Sequence, residues 1–395
     1  MSIDVSAEIA ALVPEMIAIR RDLHQHPELA FEETRTAEII TAKLTELGYQ
    51  VYSGLGQTGV VGFFSGGRAE SDAKNLLIRA DIDALPVQEA NQVEYRSQEP
   101  GKMHACGHDG HIAIGLGVAA ALAAIRAQLP FHVTVLFQPA EERAGGAMAM
   151  TRDGVFEKVP HPDAVIGLHL WSPFHVGTIG VKAGPIFASA DEFIIRVRGK
   201  GGHGAMPELS VDPIVASAHI VTALQTLISR EIAPSHRAVV TVGAIHGGTA
   251  FNIIADEVIL TGTVRAYDPA DRAHIMKRIG EVAAGVAMSL RAECTVGGDL
   301  GIPPCVNDAG VAAVVRAAAA QTVGESNIIE DCMQTVGDDM AHFLETAPGC
   351  YFLVGAGNPE EGIQAPHHSA LFNIDENSLR IGAETLVRAA LLLFP

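Results

Sequence analysis

The sequence has few aromatics, at 5% with one tryptophan, and little positive charge. Against 46 Asp and Glu it sets only 27 Lys and Arg, a formal net charge of −19 at pH 7. No Lys/Arg cluster interrupts that balance, so phosphate backbones and anionic bilayers would be repelled. This argues for no nucleic acid and no membrane as partners, while a small substrate remains compatible. Long hydrophobic runs are missing too. The longest, Ile112–Ile125, is dominated by Ala and Gly and falls short of the roughly 20 residues a membrane span needs. The start, M-S-I-D-V-S-A-E-I-A, lacks the basic opening and apolar core of a signal peptide. Cysteine is sparse and odd in number, with Cys106, Cys294, Cys305, Cys332 and Cys350 far apart, so no disulfide framework is implied. The simplest expectation is a reduced, cytoplasmic protein.

What the chain does have is length and pattern. At 395 residues it exceeds the size at which a single core keeps growing, so two domains are expected. Helical spacing runs over residues 6–26 and stops at Pro27, which disfavours helix before it. A second helix follows over Thr34–Leu47, closed by Gly48. Strands are expected at Val60–Ser65 and Asn75–Ala80, a helix at about Asp109–Gln128, and strands at Phe131–Phe137 and Asp163–Gly167. Nearly continuous apolar strands point to a sheet covered on both faces, an α/β fold. After about Pro185 the style changes to strand–helix–strand–strand–helix–strand, with strands at Asp191–Arg198, Ala238–Ile245 and Val258–Ala266. That is the order of a small α+β two-layer sandwich. From about residue 300 the α/β style returns. The reading is an α/β domain, 1–185 with 300–395, and an inserted α+β domain, 186–299.

One stretch concentrates chemistry: H-A-C-G-H-D-G-H, His104 to His111. Imidazole and thiolate are ligands of zinc, nickel, cobalt and related ions, and thiolate seldom serves magnesium or calcium. Capping of the following helix is the simpler alternative for any one of these histidines. Carboxylates lie past the ends of other strands: Asp81 and Asp83 in D-I-D, Glu141 and Glu142 in Q-P-A-E-E, with His169 ending a third strand. That edge is where open α/β sheets bind ligands. Two adjacent carboxylates repel unless a cation neutralises one; beside metal, one can ligate and the other accept a proton from water. A solvated acidic turn is the alternative. Asp81 and Asp83 could ligate metal or orient a ligating histidine, or simply form a turn. His367 and His368 sit in P-H-H-S. The inserted domain offers His203 in a glycine-rich turn, Asn252 in G-G-T-A-F-N, and Arg265, whose planar fork matches a carboxylate.

Taken in order, R-A-D-I-D-A-L-P (79–86), M-H-A-C-G-H-D-G-H (103–111), Q-P-A-E-E (138–142), G-L-H (167–169), G-K-G-G-H-G-A-M-P (199–207) and H-S-A-L-F-N-I-D-E (368–376) resemble the dinuclear metallohydrolases that include aminoacylases and glutamate carboxypeptidases. Within them the chain is most similar to the hippurate hydrolase, N-acyl-amino-acid amidohydrolase and auxin-conjugate hydrolase branch. The resemblance implies a catalytic domain interrupted by a lid that also dimerises, and two divalent ions, zinc, manganese, nickel or cobalt. It implies Cys106, His108, Glu142, His169 and His368 as metal ligands and Glu141 as general base. His203 would stabilise the oxyanion from across a homodimer, Asn252 and Arg265 would grip the substrate carboxylate, and Asp83 would stand behind the ligands. Which of His367 and His368 binds stays open. The chain departs from the family at Ala370, where Pro is common, and at Asp338-Asp339-Met340. The implied reaction is hydrolysis of N-acyl-amino acids; a dipeptidase or carboxypeptidase, and a non-enzymatic metal-retaining protein, are the alternatives.

Overall fold

The structure, a computed structural model, describes residues 4–70, 72–298 and 301–395. The chain divides into two compact units. The first takes in the chain through Ile186, then Val306–Met333 and Asp339–Pro395; the second is Phe187–Cys305 with Gln334–Asp338. The expected boundary at residues 299 and 300 lies outside the described residues.

The first unit is built on an eight-stranded sheet of β1 (Gln50–Leu55), β2 (Gly59–Phe64), β3 (Asn75–Asp81), β4 (His132–Gln138), β5 (Ala164–His175), β6 (Ile179–Gly180), β7 (Ile328–Ile329) and β8 (Gly349–Gly357), in the spatial order β1-β2-β4-β3-β5-β8-β6-β7. Its four central strands, β4-β3-β5-β8, run parallel. The hairpin of β1 and β2 adds on antiparallel at one side, as β6 does against β8 at the other. Every residue of β3 and β8 is buried, as a sheet covered on both faces requires. Helices α1 (Val5–Gln25), α2 (Thr34–Glu46), α3 (His108–Ala124), α4 (Ala309–Val323) and α5 (Asn377–Leu393) pack on it. Met16, Ile112, Val315 and Leu386 from four of these helices share one core with Leu76, Ile78 and Ala80 of β3. The sequence reading does not assign α5 or the edge strand β1.

The second unit is a four-stranded antiparallel sheet in the order Ala238–Gly247, Glu257–Ala266, Asp191–Arg198, Glu293–Gly297. Residues of Asp191–Arg198 alternate strictly between buried and exposed, so only one face is covered. Helices Pro213–Thr226 and Pro269–Ser289 cover it with Ile220, Leu224, Ile275 and Ile279. Each opens on an Asp-Pro pair: Asp212 and Asp268 accept from backbone N–H groups of the first turn, and the proline brings no N–H to satisfy. Among the described residues, no helix is long and apolar enough to cross a membrane.

Candidate metal centre

The H-A-C-G-H-D-G-H stretch becomes the entry to α3. Gly107, its N-cap, takes a left-handed φ of 91°, which glycine adopts at little cost. The chain thus turns sharply between Cys106 and the first helical residue, His108. Residues three apart share a helix face, and His108 and His111 both turn toward the end of β3. His111 Nδ1 lies 2.5 Å from Asp81 Oδ1, and His108 Nδ1 lies 2.8 Å from the Asp83 carbonyl oxygen. Gly110 lets the helix approach β5: a Cβ there would come within 2.4 Å of Leu170 Cδ1. The same approach lets Leu170 N–H donate to His111 Nε2 at 2.8 Å.

These bonds fix the tautomers. A carbonyl only accepts, so Nδ1 of His108 carries a proton, and Nε2 is the nitrogen left to a metal ion that displaces its own proton. That Nε2 is buried with no hydrogen-bond partner among the described residues. His169 repeats the arrangement, donating from Nδ1 to the Leu170 carbonyl at 2.8 Å and holding Nε2 3.5 Å from Cys106 Sγ. This is the state in which an imidazole ligates metal. In His111 both nitrogens are engaged, so it braces the others. His367 spends Nε2 on the Leu170 carbonyl at 2.9 Å and packs its ring against Trp171. His368, in a left-handed conformation at φ 63°, brings Nε2 within 3.3 Å of Glu142 Oε1. Of the adjacent pair, His368 is the one that meets the acidic residues.

Donor atoms of Cys106, His108 and His169 lie within 4.8 Å of one another, as do those of Cys106, Glu142 and His368, and those of His108, Glu141 and Glu142. Cys106, His108 and Glu142 each belong to two of these three sets, so the sets join into one connected group of donors. The mixture of thiol, imidazole and carboxylate fits borderline divalent ions such as zinc, nickel, cobalt and manganese. The electrostatics ask for a cation as well. Burial, and after it Glu142, Glu141 and Asp81, push the Cys106 thiol well above its usual range. Burial opposes protonation of His108, but Asp81 and Asp83 outweigh it and raise the imidazole to about 10. For His169, burial and then His111 and His367 push the value well down, which keeps the imidazole neutral.

The acidic turn after β4 is held at its backbone. Asp83 accepts from Glu141 N–H with one oxygen and from Glu142 N–H with the other, both at 3.0 Å. Ala140 and Ala144, on either side, are left-handed at φ 50° and 54°, a conformation costing a non-glycine residue about 1–2 kcal/mol. Such strain persists where surrounding contacts over-determine it, commonly at functional sites.

Residues 77–392 match the protein family described as Peptidase family M20/M25/M40. This chain belongs to that family. Over 371 residues it is 38% identical to N-acetyl-L-cysteine deacetylase of Bacillus subtilis (strain 168), covering 94% of this chain and 86% of the relative. It is 36% identical over 374 residues to IAA-amino acid hydrolase ILR1-like 4 of Arabidopsis thaliana, covering 93% and 83%. The crystal structure of the Bacillus subtilis YXEP protein, described as a dinuclear metal binding peptidase from the M20 family, superposes with a TM-score of 0.85 at 33% identity, covering 98% and 99% of the two chains. With the donor set above, this M20 family member is a metal-dependent hydrolase.

The remaining residues singled out in the sequence lie in the second unit. His203 is exposed and pairs with Ile253 in a two-stranded ribbon, where Gly204 N–H donates to the Asn252 carbonyl at 2.8 Å. His203 and Asn252 are therefore neighbours. Arg265 is half-buried on the Glu257–Ala266 strand opposite Val239, with Nη1 donating to the Val264 carbonyl.

Two buried networks beside these donor residues escape the sequence reading. Arg79 donates to Gln138 at 2.9 Å, to Asp81 at 2.6 Å and to Asp339, the middle residue of the D-D-M triplet, at 3.1 Å. On α1, Arg20 donates from Nε to Asp109 at 2.8 Å, and His24 bridges Asp109 at 2.8 Å and Glu89 at 3.2 Å. Burial opposes charge on both His24 and Asp109. Even so, Asp109 and Glu89 raise His24, while Arg20 and His24 hold Asp109 below the carboxylate range. The raised imidazole stabilises the fold below its unfolded value near 6.5 and loses that contribution as pH rises through its folded value. The lowered carboxyl stabilises above about 3.9 and loses its share as pH falls. Thermal midpoints should therefore peak between about pH 4 and 6.5 as far as this cluster contributes, and His24→Asn should flatten the alkaline limb. An unchanged alkaline limb in differential scanning calorimetry would count against the assignment.

Proposed function

We propose that this M20 hydrolase cleaves the amide bond of N-acyl-amino acids, such as hippurate or N-acetyl-amino acids, to a carboxylic acid and a free amino acid. The observation that carries this reading is the gathering of Cys106, His108, Glu142, His169 and His368 at one strand edge, with Glu141 beside them. These five residues would hold two divalent ions, which supply Lewis acidity toward the amide carbonyl and toward water. Glu141 accepts a proton from the attacking water and returns it to the departing nitrogen. Asp83 keeps the turn bearing Glu141 and Glu142 in place. Across the homodimer, His203 donates to the oxyanion that develops in the partner protomer's site, and Asn252 and Arg265 hold the substrate carboxylate. The names of the Bacillus deacetylase and the Arabidopsis hydrolase support an acylated amino acid as substrate.

The protein works as a homodimer through its second unit. In support, Ala238–Gly247 is an edge strand of that unit's sheet, and Val239, Ile245, Phe251 and Ile253 are exposed; open edges and apolar patches invite pairing. A cytoplasmic setting agrees with five cysteines joined by no disulfide. The test is metal analysis of the purified protein coupled to turnover of hippurate, N-acetyl-amino acids, auxin conjugates and dipeptides. About two ions per chain and preference for the acylated amino acids are expected. A strong preference for dipeptides would replace this reading with a dipeptidase.

A further inference from the structure

The segment between α1 and α2, H-P-E-L-A-F-E-E-T, lies under the acidic turn. Leu29 bridges Ala84 in parallel, and Ala84 N–H donates to the Glu28 carbonyl at 2.8 Å, so the segment runs beside Asp83. Glu28 caps α2 with both carboxylate oxygens, accepting from Arg35 and Thr36 N–H at 3.0 and 2.8 Å. Glu33, which stands at the N-cap position itself, makes no capping bond with its side chain. It is wholly buried and reaches the other way. Its Oε1 accepts from Ala140 N–H at 2.8 Å, and its Oε2 from the Thr58 hydroxyl at 2.5 Å.

Glu33 and Asp83 thus divide three consecutive backbone N–H groups. Glu33 takes that of Ala140, and Asp83 takes those of Glu141 and Glu142. Ala140 is the left-handed residue at which the chain leaves β4 and turns into the acidic pair. Without a fixed partner, its N–H would be free to rotate away with the peptide plane joining Pro139 to Ala140, and the residue would relax toward an ordinary conformation. That relaxation swings the next side chain, Glu141. Glu141 follows the corner directly, with its own N–H on Asp83, so the direction in which the chain leaves Ala140 sets where its side chain starts.

We infer that Glu33, pinned by Thr58, is a positioning residue that holds the Ala140 corner left-handed and so aims Glu141 for proton transfer. This rests on the role proposed for Glu141. A carboxamide can still accept from Ala140 N–H and donate to the Thr58 hydroxyl, so the tether needs hydrogen-bonding shape, and charge is dispensable.

The experiment compares Glu33→Gln, Glu33→Ala and Thr58→Val in the full-length, metal-loaded protein. The readouts are kcat and KM on N-acyl-amino acids, metal content, and amide hydrogen exchange across residues 139–145. Glu33→Ala should lower kcat about 10- to 100-fold, the range typical of lost supports behind a metal site, with KM changed less than threefold and metal content unchanged. Exchange at the acidic turn should accelerate in the same variant. Glu33→Gln should restore kcat to within threefold of wild type and restore the protection. Full turnover in a folded Glu33→Ala, or loss in Glu33→Gln equal to that in Glu33→Ala, overturns the inference. Should Glu33→Ala not fold, Thr58→Val decides, since unchanged kcat and unchanged exchange there sink it. If the wild type turns over none of the acylated amino acids, the substrate reading fails. The exchange comparison then still judges the tether, and unaltered exchange in the variants overturns it.

Discussion

Glu141→Gln is expected to lower kcat for N-acyl-amino-acid hydrolysis by about a hundred- to ten-thousand-fold, the usual contribution of a positioned general acid–base group, while metal content and thermal midpoint stay at wild-type values. Glutamine keeps the size of the side chain and its ability to accept a hydrogen bond, and loses only basicity. The backbone N–H of residue 141 remains bonded to Asp83, so the turn has no reason to move. Glu142→Gln makes the contrast. Glu142 stands 3.3 Å from His368 and in one donor set with Cys106, so weakening that carboxylate should release metal along with activity. The two variants separate on metal content more sharply than on rate. Turnover within threefold of wild type in fully loaded Glu141→Gln would remove Glu141 from the reaction and leave proton transfer to another group.

The contrast between two adjacent glutamates also shows where sequence stops being informative. Their placement past a strand end is legible because β3, β4 and β5 are continuous apolar runs broken by acidic or histidine residues, and the edge of such a sheet is a ligand site. Which imidazole nitrogen of His108 and His169 donates to the backbone is not legible, because Asp83 and Leu170 fix it through carbonyls that any residue would supply. The same holds for His367 against His368, which differ in the Leu170 carbonyl that His367 Nε2 meets and in the left-handed backbone at His368. Glu33 is silent in sequence, since nothing local marks it for the Ala140 N–H, and only the fold shows that Glu28 caps α2 while Glu33 reaches the acidic turn. The edge strand β1 is half exposed and contains Gly54, so its alternation is too weak to stand out. Helix α5 has less excuse: Leu379, Gly382, Ala383, Leu386 and Ala390 are buried at helical spacing.

Arg79→Met should destabilise the first unit by about 3–5 kcal/mol, the cost of stripping one partner from a buried ion pair, and this would be a large part of the roughly 5–15 kcal/mol that holds a typical fold. The side chains of Arg79, Asp81 and Asp339 are all fully buried, so water cannot replace the lost guanidinium. Methionine fills similar length but takes the guanidinium from two buried carboxylates, leaving Asp81 to His111 and His108 and Asp339 to partners that include Gln138 and the Ala147 N–H. Burial alone would raise Asp81; His108, His111 and Arg79 instead hold it well below the carboxylate range. A lowered carboxyl contributes stability above about pH 3.9 and loses it as pH falls. The variant's Asp81, with less to hold it charged, should protonate at higher pH, so the gap between variant and wild type should narrow from pH 7 toward pH 4.5. Adding Asp339→Asn to Arg79→Met should recover part of the loss, because it removes one of the stranded charges. Trp171, the only tryptophan in the sequence, lies on β5 within the same unit, so its fluorescence reports urea unfolding there directly. A loss below about 1 kcal/mol, the level of an exposed pair, would mean that Asp81 and Asp339 find other partners. The bracing of His111 by Asp81, and with it the setting of His108 and His169, would then not depend on Arg79.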